Sequence, residues 1–361
     1  MNKPILVIST QYPGYGGAST NSYAIIKYLR QNGYNCIGVF IEDAINVNID
    51  PDGIGNIYRF SLYPFKYNVR QKIIEYKRIL DTVMKGPPGV ILCKNYIAPV
   101  CSKIMYPCVK NIYLVSGLCN AIDVCTSIPA NQMVKKKIKL PESKEEITAI
   151  KNSDIIVINS PLSYNIFYNT YSNYVDKIYP HIIDTTKYAN ILINNDNEKP
   201  ISKKYDIIIT SSILTRKEKN NFFLMEVLKN PIFDKYSKLI IGNDNSSFSD
   251  IPNSVVHDLL PHASLMELMR DTKVLLYPSL YDSNPNTIRE AVHNKCLVLM
   301  SNNIGFYELF PDISVCDTYT IEEWTNKCIY LLDNYNEIIK IYQINFDNNN
   351  DITDIIDKLV Q

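Results

Sequence analysis

Residues 277–291 read YPSLYDSNPNTIREA, and this stretch decides how the second half of the chain is interpreted. The apolar run at 274–277 predicts a buried strand that stops at the Pro-Ser pair 278–279. A loop of small polar residues follows, and then a helix predicted over 286–293. In a parallel α/β sheet, a strand, a polar loop and a helix start can bind phosphate, because the N–H groups and the dipole of the helix favour an anion.

Two carboxylates stand eight positions apart in this stretch, Asp282 in the loop and Glu290 in the helix. A carboxylate one to two turns into the helix is placed to accept hydrogen bonds from the hydroxyls of a ribose. Together with the phosphate-binding loop, this predicts a site for a nucleotide-diphosphate sugar. The alternative for Glu290 is an exposed residue that only favours the helix.

The stretch resembles the donor-binding motif of the family 4 glycosyltransferases, which have the GT-B fold. That motif is a Pro-Ser turn, an acidic residue, seven further residues and a Glu-Ala pair; here it stands as Pro278-Ser279, Asp282 and Glu290-Ala291. Two features depart from it, since the first acidic residue is usually Glu and the loop usually carries a Gly. Because Asn is the non-Gly residue that best tolerates left-handed backbone, we expect Asn to supply that conformation in the loop.

The resemblance implies a role for each part of the motif. Glu290 would bind the donor ribose, Asp282 would bind hydroxyls of the transferred sugar, and loop amides would hold the phosphates. It also implies transfer with retention of the anomeric configuration, with the departing phosphate oxygen as the base and with no metal or other cofactor. The loop candidates for donor binding are Ser283, Asn284, Asn286 and Thr287.

Two cations, Arg216 and Lys219, follow the first predicted strand of the second half. Cations three residues apart at a strand end can clamp a diphosphate, Arg with its fork and Lys as a point charge. The resembling family places a basic pair here, before a Lys-Gly or Lys-Asn, which fits Lys219-Asn220. Lys217 could take either role, and a solvated charged loop is the alternative. With Asp282, the pair is predicted to be catalytic.

A second loop is rich in glycine: residues 12–20 read YPGYGGAST and open a helix. Gly16 and Gly17 permit close approach of the backbone to a ligand, and the resemblance implies that this loop lies near the donor diphosphate and the acceptor. The pattern is not that of a dinucleotide site, but the acidic pair Glu42 and Asp43 after the second strand leaves a dinucleotide enzyme open. A tight turn without a ligand is the other alternative.

Further candidates follow other predicted strands, since parallel sheets bind ligands at the carboxyl ends of their strands. Lys94 and Asn95 follow one strand, and Ser116 and Gly117 follow another. We expect these four residues on the acceptor side.

The region of the nucleotide base is expected at Leu260 and His262, just before a predicted helix at 264–269. The resembling family binds the base near this point through its main chain. A lone His is more often satisfied locally than catalytic, so His262 is assigned to binding.

Composition excludes several classes of protein. At 361 residues two domains are expected, and a formal net charge of zero argues against nucleic acid as a partner. The nine cysteines lack metal-ligand spacing, which predicts reduced thiols and no protein-held metal. With no signal peptide or membrane span recognised, we expect a cytoplasmic protein. The basic run at 135–139 leaves membrane contact open, with a locally balanced, solvated segment as the alternative.

Apolar runs alternate with helical patterns in both halves of the chain, which predicts a mostly parallel sheet in each. The expected fold class is α/β, with two facing doubly wound, Rossmann-like domains and a cleft between them, as in GT-B. Residues 1–180 would form the acceptor-side domain, 181–204 a linker with a hinge at 179–184, and 205–361 the domain that binds the nucleotide sugar.

These observations favour a glycosyltransferase that moves a sugar from a nucleotide-diphosphate donor to a glycan, lipid or other acceptor. One alternative is a catalytically silent relative that binds sugar or nucleotide, because of the Gly-free loop and Asp282. The other is a nucleotide-sugar epimerase, which shares the GT-B architecture. The sequence does not identify the donor sugar, the base or the acceptor.

Overall fold

The computed structural model describes residues 3–9, 17–42, 57–61, 69–183, 203–346 and 351–360. The chain divides into two compact units. The first unit spans residues 1–120, 139–194 and 347–361, and the second spans 121–138 and 195–346.

The strands in the first half of the chain are β1 (Ile5–Ser9), β2 (Cys36–Glu42), β3 (Ile57–Ser61), β4 (Val90–Lys94), β5 (Lys110–Val115), β6 (Ile155–Ile158) and β7 (Ile178–Ile182). The helices are α1 (Gly17–Gln31), α2 (Val69–Met84), α3 (Ile97–Met105), α4 (Ala121–Cys125), α5 (Ala130–Lys135), α6 (Lys144–Lys151) and α7 (Pro161–Thr170). The described strands pair in the order β3-β2-β1-β4-β5-β6-β7.

The second half repeats the plan with the strands β8 (Tyr205–Ile213), β9 (Lys238–Asn243), β10 (Ser254–His257), β11 (Thr272–Tyr277), β12 (Leu297–Ser301) and β13 (Val315–Cys316). The helices are α8 (Asn221–Leu228), α9 (His262–Arg270), α10 (Asn286–His293), α11 (Ile321–Asp333), α12 (Tyr335–Ile341) and α13 (Ile352–Val360). The described strands pair in the order β10-β9-β8-β11-β12-β13.

Both sheets are parallel and doubly wound. In each, the chain runs outward in one direction and then returns to the other side of its first strand. The order therefore reverses between β1 and β4 and again between β8 and β11, and ligands bind at such switch points, beyond the carboxyl ends of the strands. The predicted α/β class, with two Rossmann-like sheets, is confirmed.

Helices cover both faces of each sheet, which is why the strands read as continuous apolar runs and not as alternating ones. In the first unit, Val7 and Leu92 pack on the face covered by α1, while Leu6 and Ile91 pack on the face covered by α2 and α3. In the second unit, α8 and α11 cover one face, and α9 and α10 cover the other. The carboxyl edges of the sheets are left to loops.

The last helix corrects the predicted extent of the second domain. Ile352, Ile355 and Ile356 of α13 are buried in the core cluster that contains β1 and β4. Tyr28 donates a hydrogen bond of 2.7 Å to Asp351, just before α13. The chain thus returns to the first unit at its end, and the predicted domain 205–361 does not hold for the residues of α13.

Two other boundaries differ from the prediction. Residues 121–138, which carry α4 and α5, belong to the second unit although they were predicted within the first domain. Of the predicted linker and hinge, residues 179–182 lie in β7 at the edge of the first sheet, and 184–202 lie outside the described residues.

All nine cysteines are free thiols, and seven of them are buried. Searched over the described residues, no helix has the length and apolar character needed to cross a membrane.

Replacing Ile356 by Ala removes a fully buried side chain from the core of the first unit. We expect a loss of about 2–5 kcal/mol, since a buried Ile is truncated and a cavity is left. Native-state hydrogen exchange should show reduced amide protection in β1 and β4 and unchanged protection in β8 and β11. Lys358→Ala, at an exposed position of the same helix, is the control. Equal loss of protection in β8 and β11 would place α13 with the second sheet.

Candidate functional site

The loop after β8 leaves the sheet at the switch point of the second unit. The β8–β9 pairing shifts register between Thr210 and Ile213, so the end of β8 departs from regular pairing. Gly242 of β9 has φ of +152°, and a Cβ there would lie 2.0 Å from the backbone oxygen of Ser211. Only glycine permits this close approach. It sets the direction in which the chain proceeds from β8 to Lys219.

Three polar side chains meet at this point. Nζ of Lys219 donates hydrogen bonds of 2.7 Å to the hydroxyl of Tyr277 and to Oδ2 of Asp282. The Tyr277 hydroxyl in turn donates to the same Oδ2, also at 2.7 Å. Tyr277 is the last residue of β11, and Asp282 lies in the loop that follows it. The side chains of Lys219 and Asp282 are only 19% and 21% exposed, so this ion pair is largely removed from water.

Burial and mutual attraction act against each other in this group. Burial favours a neutral Asp282, but the charge and hydrogen bond of Lys219, with the hydroxyl of Tyr277, hold the pKa of that carboxyl below its usual range. Burial likewise lowers the pKa of Lys219, and Asp282 more than offsets it, so the pKa is raised. Burial and the negative charge of Asp282 raise the pKa of Tyr277, which keeps its proton. The group therefore holds one positive and one negative charge.

Asn303, in the turn after β12, holds the loop that carries Asp282. Its backbone oxygen accepts from the N–H of Asp282 at 3.2 Å, and its side chain donates to the oxygen of Leu280 at 2.7 Å. Gly305 N–H donates back to the Asp282 oxygen at 2.9 Å. The amide oxygen of Asn303 also accepts from Ala130 N–H at 2.5 Å, which ties α5 to this turn. The position of the carboxylate is thus set by backbone as well as by Lys219.

Arg216 is not paired with Asp282, the carboxylate that holds Lys219. Its guanidinium forms an ion pair with Glu218, two residues along the same loop, and 47% of its side chain is exposed. The backbone oxygen of Glu218 accepts from Leu280 N–H at 2.9 Å, which joins the two loops. Lys219 therefore belongs to the group with Asp282. Arg216, the other member of the predicted basic pair, lies at the surface.

The Gly-free loop adopts ordinary backbone. None of residues 283–287 has a positive φ, so the expectation that Asn supplies a left-handed conformation here is wrong. Ser283 and Asn284 are buried, and Asn284 N–H donates to Oδ1 of Asp282 at 3.3 Å. The absence of Gly therefore introduces no backbone strain in the loop.

The first turn of α10 follows this loop directly. Its N-cap is Pro285, which supplies no side-chain cap, and the first turn contains no acidic residue. The first N–H groups of any α-helix have no partner within the helix, so Asn286 and Thr287 present donors with a positive dipole end. Oδ1 of Asn286 is buried and without a hydrogen-bond partner. The N–H groups of this helix end have the polarity that a phosphate requires, whereas Oδ1 of Asn286 is an acceptor and would need a donor from the ligand.

Glu290 is hydrogen-bonded to His262. Its Oε1 lies 3.0 Å from Nε2 of His262, with 14% of the Glu290 side chain exposed. The hydrogen bond to Glu290 raises the pKa of His262, and burial only partly opposes it. Leu260 packs against the core cluster that contains Ile288 of α10. The predicted ribose residue and the predicted base region are thus adjacent, although the assigned roles stay predictions.

The four acceptor-side candidates of the first unit differ in their burial and contacts. Lys94 ends β4 and is 1% exposed. Asn95 has φ of +71°, and Ser116 donates to its Oδ1 at 3.2 Å. Gly117 is exposed. The adjacent ends of β4 and β5 therefore bring Asn95 and Ser116 together, as expected of neighbouring parallel strands.

Of the glycine-rich loop, Gly16 lies outside the described residues, and Gly17 is the first residue of α1. Their proposed contact with a ligand stays a prediction.

Sequence reasoning missed two members of the site. Tyr277 was assigned to the strand, although a polar tip at the carboxyl end of a parallel strand was a usable indication of a ligand-facing position. Asn303 lies in a tract rich in Asn, where nothing local distinguishes it.

No family model matches this chain, and no curated protein matches it by sequence. Solved structures do match: sucrose-phosphate synthase from Thermosynechococcus elongatus has a TM-score of 0.67 at 12% identity, over 95% of each chain. The lipopolysaccharide outer core galactosyltransferase WaaB in its apo form has 0.60 at 13%, over 99% of this chain and 94% of that one.

An epimerase is also similar. UDP-GlcNAc 2-epimerase from Methanocaldococcus jannaschii has a TM-score of 0.58 at 12% identity, over 99% of each chain. Identities this low show the fold alone. The fold is GT-B, with two Rossmann-like domains, as the resemblance implied. The assignment to family 4 stays a prediction.

Asp282→Asn should destabilise the protein by about 1.5–3 kcal/mol at neutral pH, because a hydrogen-bonded charge pair is lost. A carboxyl whose folded pKa is lowered contributes stability above its unfolded pKa of about 3.9 and loses it as pH falls through the folded value. The difference from the native protein should therefore be constant between pH 5 and 7 and shrink below about pH 4. Urea unfolding across this range measures it, with the exposed Asp250→Asn as control. A difference that persists undiminished to pH 3 would mean that packing and not charge is lost.

The pKa of His262 gives a second test of the site. A raised pKa means that the bond to Glu290 stabilises the fold below the unfolded value of about 6.5 and is lost as pH rises through the folded one. An NMR titration of the His262 ring should report a pKa above 6.5, and Glu290→Gln should move it back toward that value. Glu267→Gln, on the exposed face of α9, is the control and should change nothing. If both substitutions leave the titration unchanged, the 3.0 Å contact does not form in solution.

Proposed function

We propose that this protein is a retaining glycosyltransferase that moves a sugar from a nucleotide-diphosphate donor to an acceptor. The observation that carries the proposal is the group of Lys219, Tyr277 and Asp282 at the switch point between β8 and β11. It lies next in sequence to an α-helix with an uncapped N-terminus, and Glu290 follows one turn further on. The fold adds support, since a protein named as a galactosyltransferase shares it.

Donor binding is assigned to the second unit. The diphosphate would be bound by N–H groups in the first turn of α10, at Asn286 and Thr287, and by the dipole of that helix. Lys219 has three N–H donors, of which two are used by Tyr277 and Asp282, and the third would donate to a phosphate oxygen. Arg216 would exchange its surface partner Glu218 for the diphosphate, since a guanidinium can bind two phosphate oxygens together.

Glu290 is assigned to the ribose. Its Oε1 is already engaged by His262, which leaves Oε2 and the second lone pair of Oε1 to accept ribose hydroxyls. His262 would orient the carboxylate, and the base would lie near Leu260.

The bond to the leaving diphosphate breaks as negative charge develops on its oxygens. Fixed donors that point at this charge lower the barrier, because they need no reorganisation during the reaction. Lys219 is fixed in this sense by Asp282 and Tyr277. The departing phosphate oxygen takes the proton of the acceptor hydroxyl, so the mechanism requires no carboxylate base and no metal.

An epimerase is the second candidate, since a UDP-GlcNAc 2-epimerase shares the same fold. The two differ in what they need: an epimerase converts its nucleotide sugar alone, and a transferase consumes it only with an acceptor, apart from slow hydrolysis. A silent relative would bind nucleotide without either conversion. Incubating the protein with UDP-, GDP- and ADP-sugars, with and without a mixed glycan and lipid acceptor pool, separates the three. A new nucleotide sugar formed without acceptor would overturn the transferase.

Glu290→Gln should weaken donor binding by roughly tenfold or more, because one charge-assisted hydrogen bond to the ribose is lost. We expect the melting temperature without ligand to change little, since His262 is half exposed. A saturating nucleoside diphosphate, at about a hundredfold excess over its dissociation constant, should add about 2.7 kcal/mol to the native protein. Thermal shift and titration calorimetry, each with EDTA present, measure both effects.

Glu267→Gln is the matched control, because it makes the same chemical change at an exposed position of α9. It should bind nucleotide like the native protein. If no nucleoside diphosphate shifts the melting temperature of the native protein, with EDTA or with added magnesium, the donor site is wrong. If Glu290→Gln unfolds the protein without ligand, its role is structural.

A further inference from the structure

The switch point of the first unit contains a buried polar group that the donor site does not use. On β1 and β4 alternate residues point to the same face, and Val7 and Leu92 pack there against α1. The next positions on this face are Ser9 and Lys94, at the carboxyl ends of the two strands. Both are buried, with exposures of 2% and 1%. The apolar face thus ends in a polar patch under α1.

Neighbouring elements extend this patch. The hydroxyls of Ser9 and Ser22 of α1 lie 3.0 Å apart. One position earlier on α1, Asn21 is buried and its Oδ1 lacks a hydrogen-bond partner. At the end of β5, the backbone oxygen of Ser116 accepts from the side chain of Asn159 at 3.5 Å.

The amine of Lys94 is buried and makes no hydrogen bond. Two other lysines of the described residues, the buried Lys238 and the half-buried Lys203, are fully engaged. Nζ of Lys238 donates to the three backbone oxygens of Phe233, Tyr236 and Pro252. Nζ of Lys203 donates to those of Arg270, Thr272 and Lys295. A lysine that only fills space would be expected to find such oxygens, because an unpaired buried amine is costly.

We propose that the carboxyl edge of β1 and β4 is a binding subsite for a carboxylate or phosphate group, with Lys94 as its counter-charge. A buried ammonium without a partner is stabilised by an anion far more than by a neutral hydroxyl, and it repels cations. Asn21 and the hydroxyls of Ser9 and Ser22 supply the hydrogen bonds that would orient the rest of the ligand.

This subsite rests on the proposed function for the identity of its ligand. If the first unit binds the acceptor, that acceptor carries an acidic group, such as an acidic sugar or a phosphorylated one. Binding of the anion itself does not depend on transfer and can be measured separately.

Burial lowers the pKa of Lys94 to about 7, and no charged side chain contributes to that shift. Three carboxylates on the elements around it are paired with other residues. Asp351 and Asp357, beside and within α13, accept from Tyr28 and Tyr34, at and beyond the last turns of α1. Asp154, at the start of β6, is paired with Lys103 of α3 and Lys110 of β5. Lys94 is therefore the group whose charge responds to a bound anion.

At alkaline pH the free amine of Lys94 is neutral. It must therefore take up a proton when it binds an anion. Because the pKa of Lys94 is lowered to about 7, the free amine is mostly neutral at pH 8 and mostly protonated at pH 6. A bound anion raises that pKa. Binding of a carboxylate probe should therefore take up more protons at pH 8 than at pH 6.

Titration calorimetry of the full chain in buffers of different ionisation enthalpy measures this uptake. The probes are glucuronate for a carboxylate, glucose 6-phosphate for a phosphate and glucose as the neutral reference. Lys94→Met keeps most of the length of the side chain and removes the amine, so it should fold with an unchanged or higher melting temperature. Lys110→Met, which removes an exposed lysine at the opposite end of β5, is the matched control.

We expect at least one anion to bind the native protein and Lys110→Met with proton uptake at pH 8, and to bind Lys94→Met at least tenfold more weakly, without uptake. Which probe binds decides between a carboxylate and a phosphate. The subsite is overturned if neither anion binds, or if Lys94→Met binds either probe like the native protein. If neither anion binds but nucleotides still do, only the subsite proposal is wrong. If an anion binds but the protein neither binds nor converts nucleotide sugars, only the proposed function is wrong.

Discussion

Parallel pairing of apolar strands is the constraint on which the rest of this structure depends. Strands such as β4 and β11 are buried on both faces, so their side chains are mostly apolar and pack in the core. Polar residues therefore occur at the strand ends. Because all described strands of a sheet run in the same direction, these ends meet at one edge. Reversal of the strand order then separates neighbouring loops at β1/β4 and at β8/β11. Both polar groups described above lie at these two positions.

The lysines at the two switch points differ in their hydrogen-bond partners. In the second unit Lys219 is held by Asp282 and Tyr277, so its charge is fixed before any ligand arrives. In the first unit Lys94 has no such partner, and its burial favours the neutral amine. A fixed cation is suited to a leaving group whose charge increases during the reaction. A cation that forms only with its ligand is suited to selecting a charged molecule over a neutral one. Under the proposed function, the difference in partners would assign catalysis to the second unit and recognition of an acidic ligand to the first.

Much of the fold could be predicted from the sequence because short apolar runs are strong local indications. The helix predicted over 286–293 is α10 with the same bounds, whereas the helix predicted over 264–269 is α9, which begins two residues earlier and ends one residue later. The amphipathic helix α2 was not predicted, although its buried Ile73 and Leu80 stand seven residues apart and could have indicated it. The assignment of α13 to the first unit, and of 121–138 to the second, depends on contacts between distant residues, and no local pattern carries that information. The same holds for the partners of Lys219 and Glu290.

The role that the resemblance implied for Asp282 must also be reconsidered in physical terms. Its Oδ2 accepts from both Lys219 and Tyr277, and its Oδ1 accepts from the N–H of Asn284. Little accepting capacity remains for sugar hydroxyls, since an ionised carboxylate has about four lone-pair sites and three are used. The shorter side chain suits this arrangement, because the backbone of Asp282 is held by Asn303 and Gly305 and its carboxylate must still reach Lys219. Asp282 in this chain therefore positions the cation that would contact the diphosphate, and the single site left on its carboxylate can bind at most one hydroxyl of the transferred sugar.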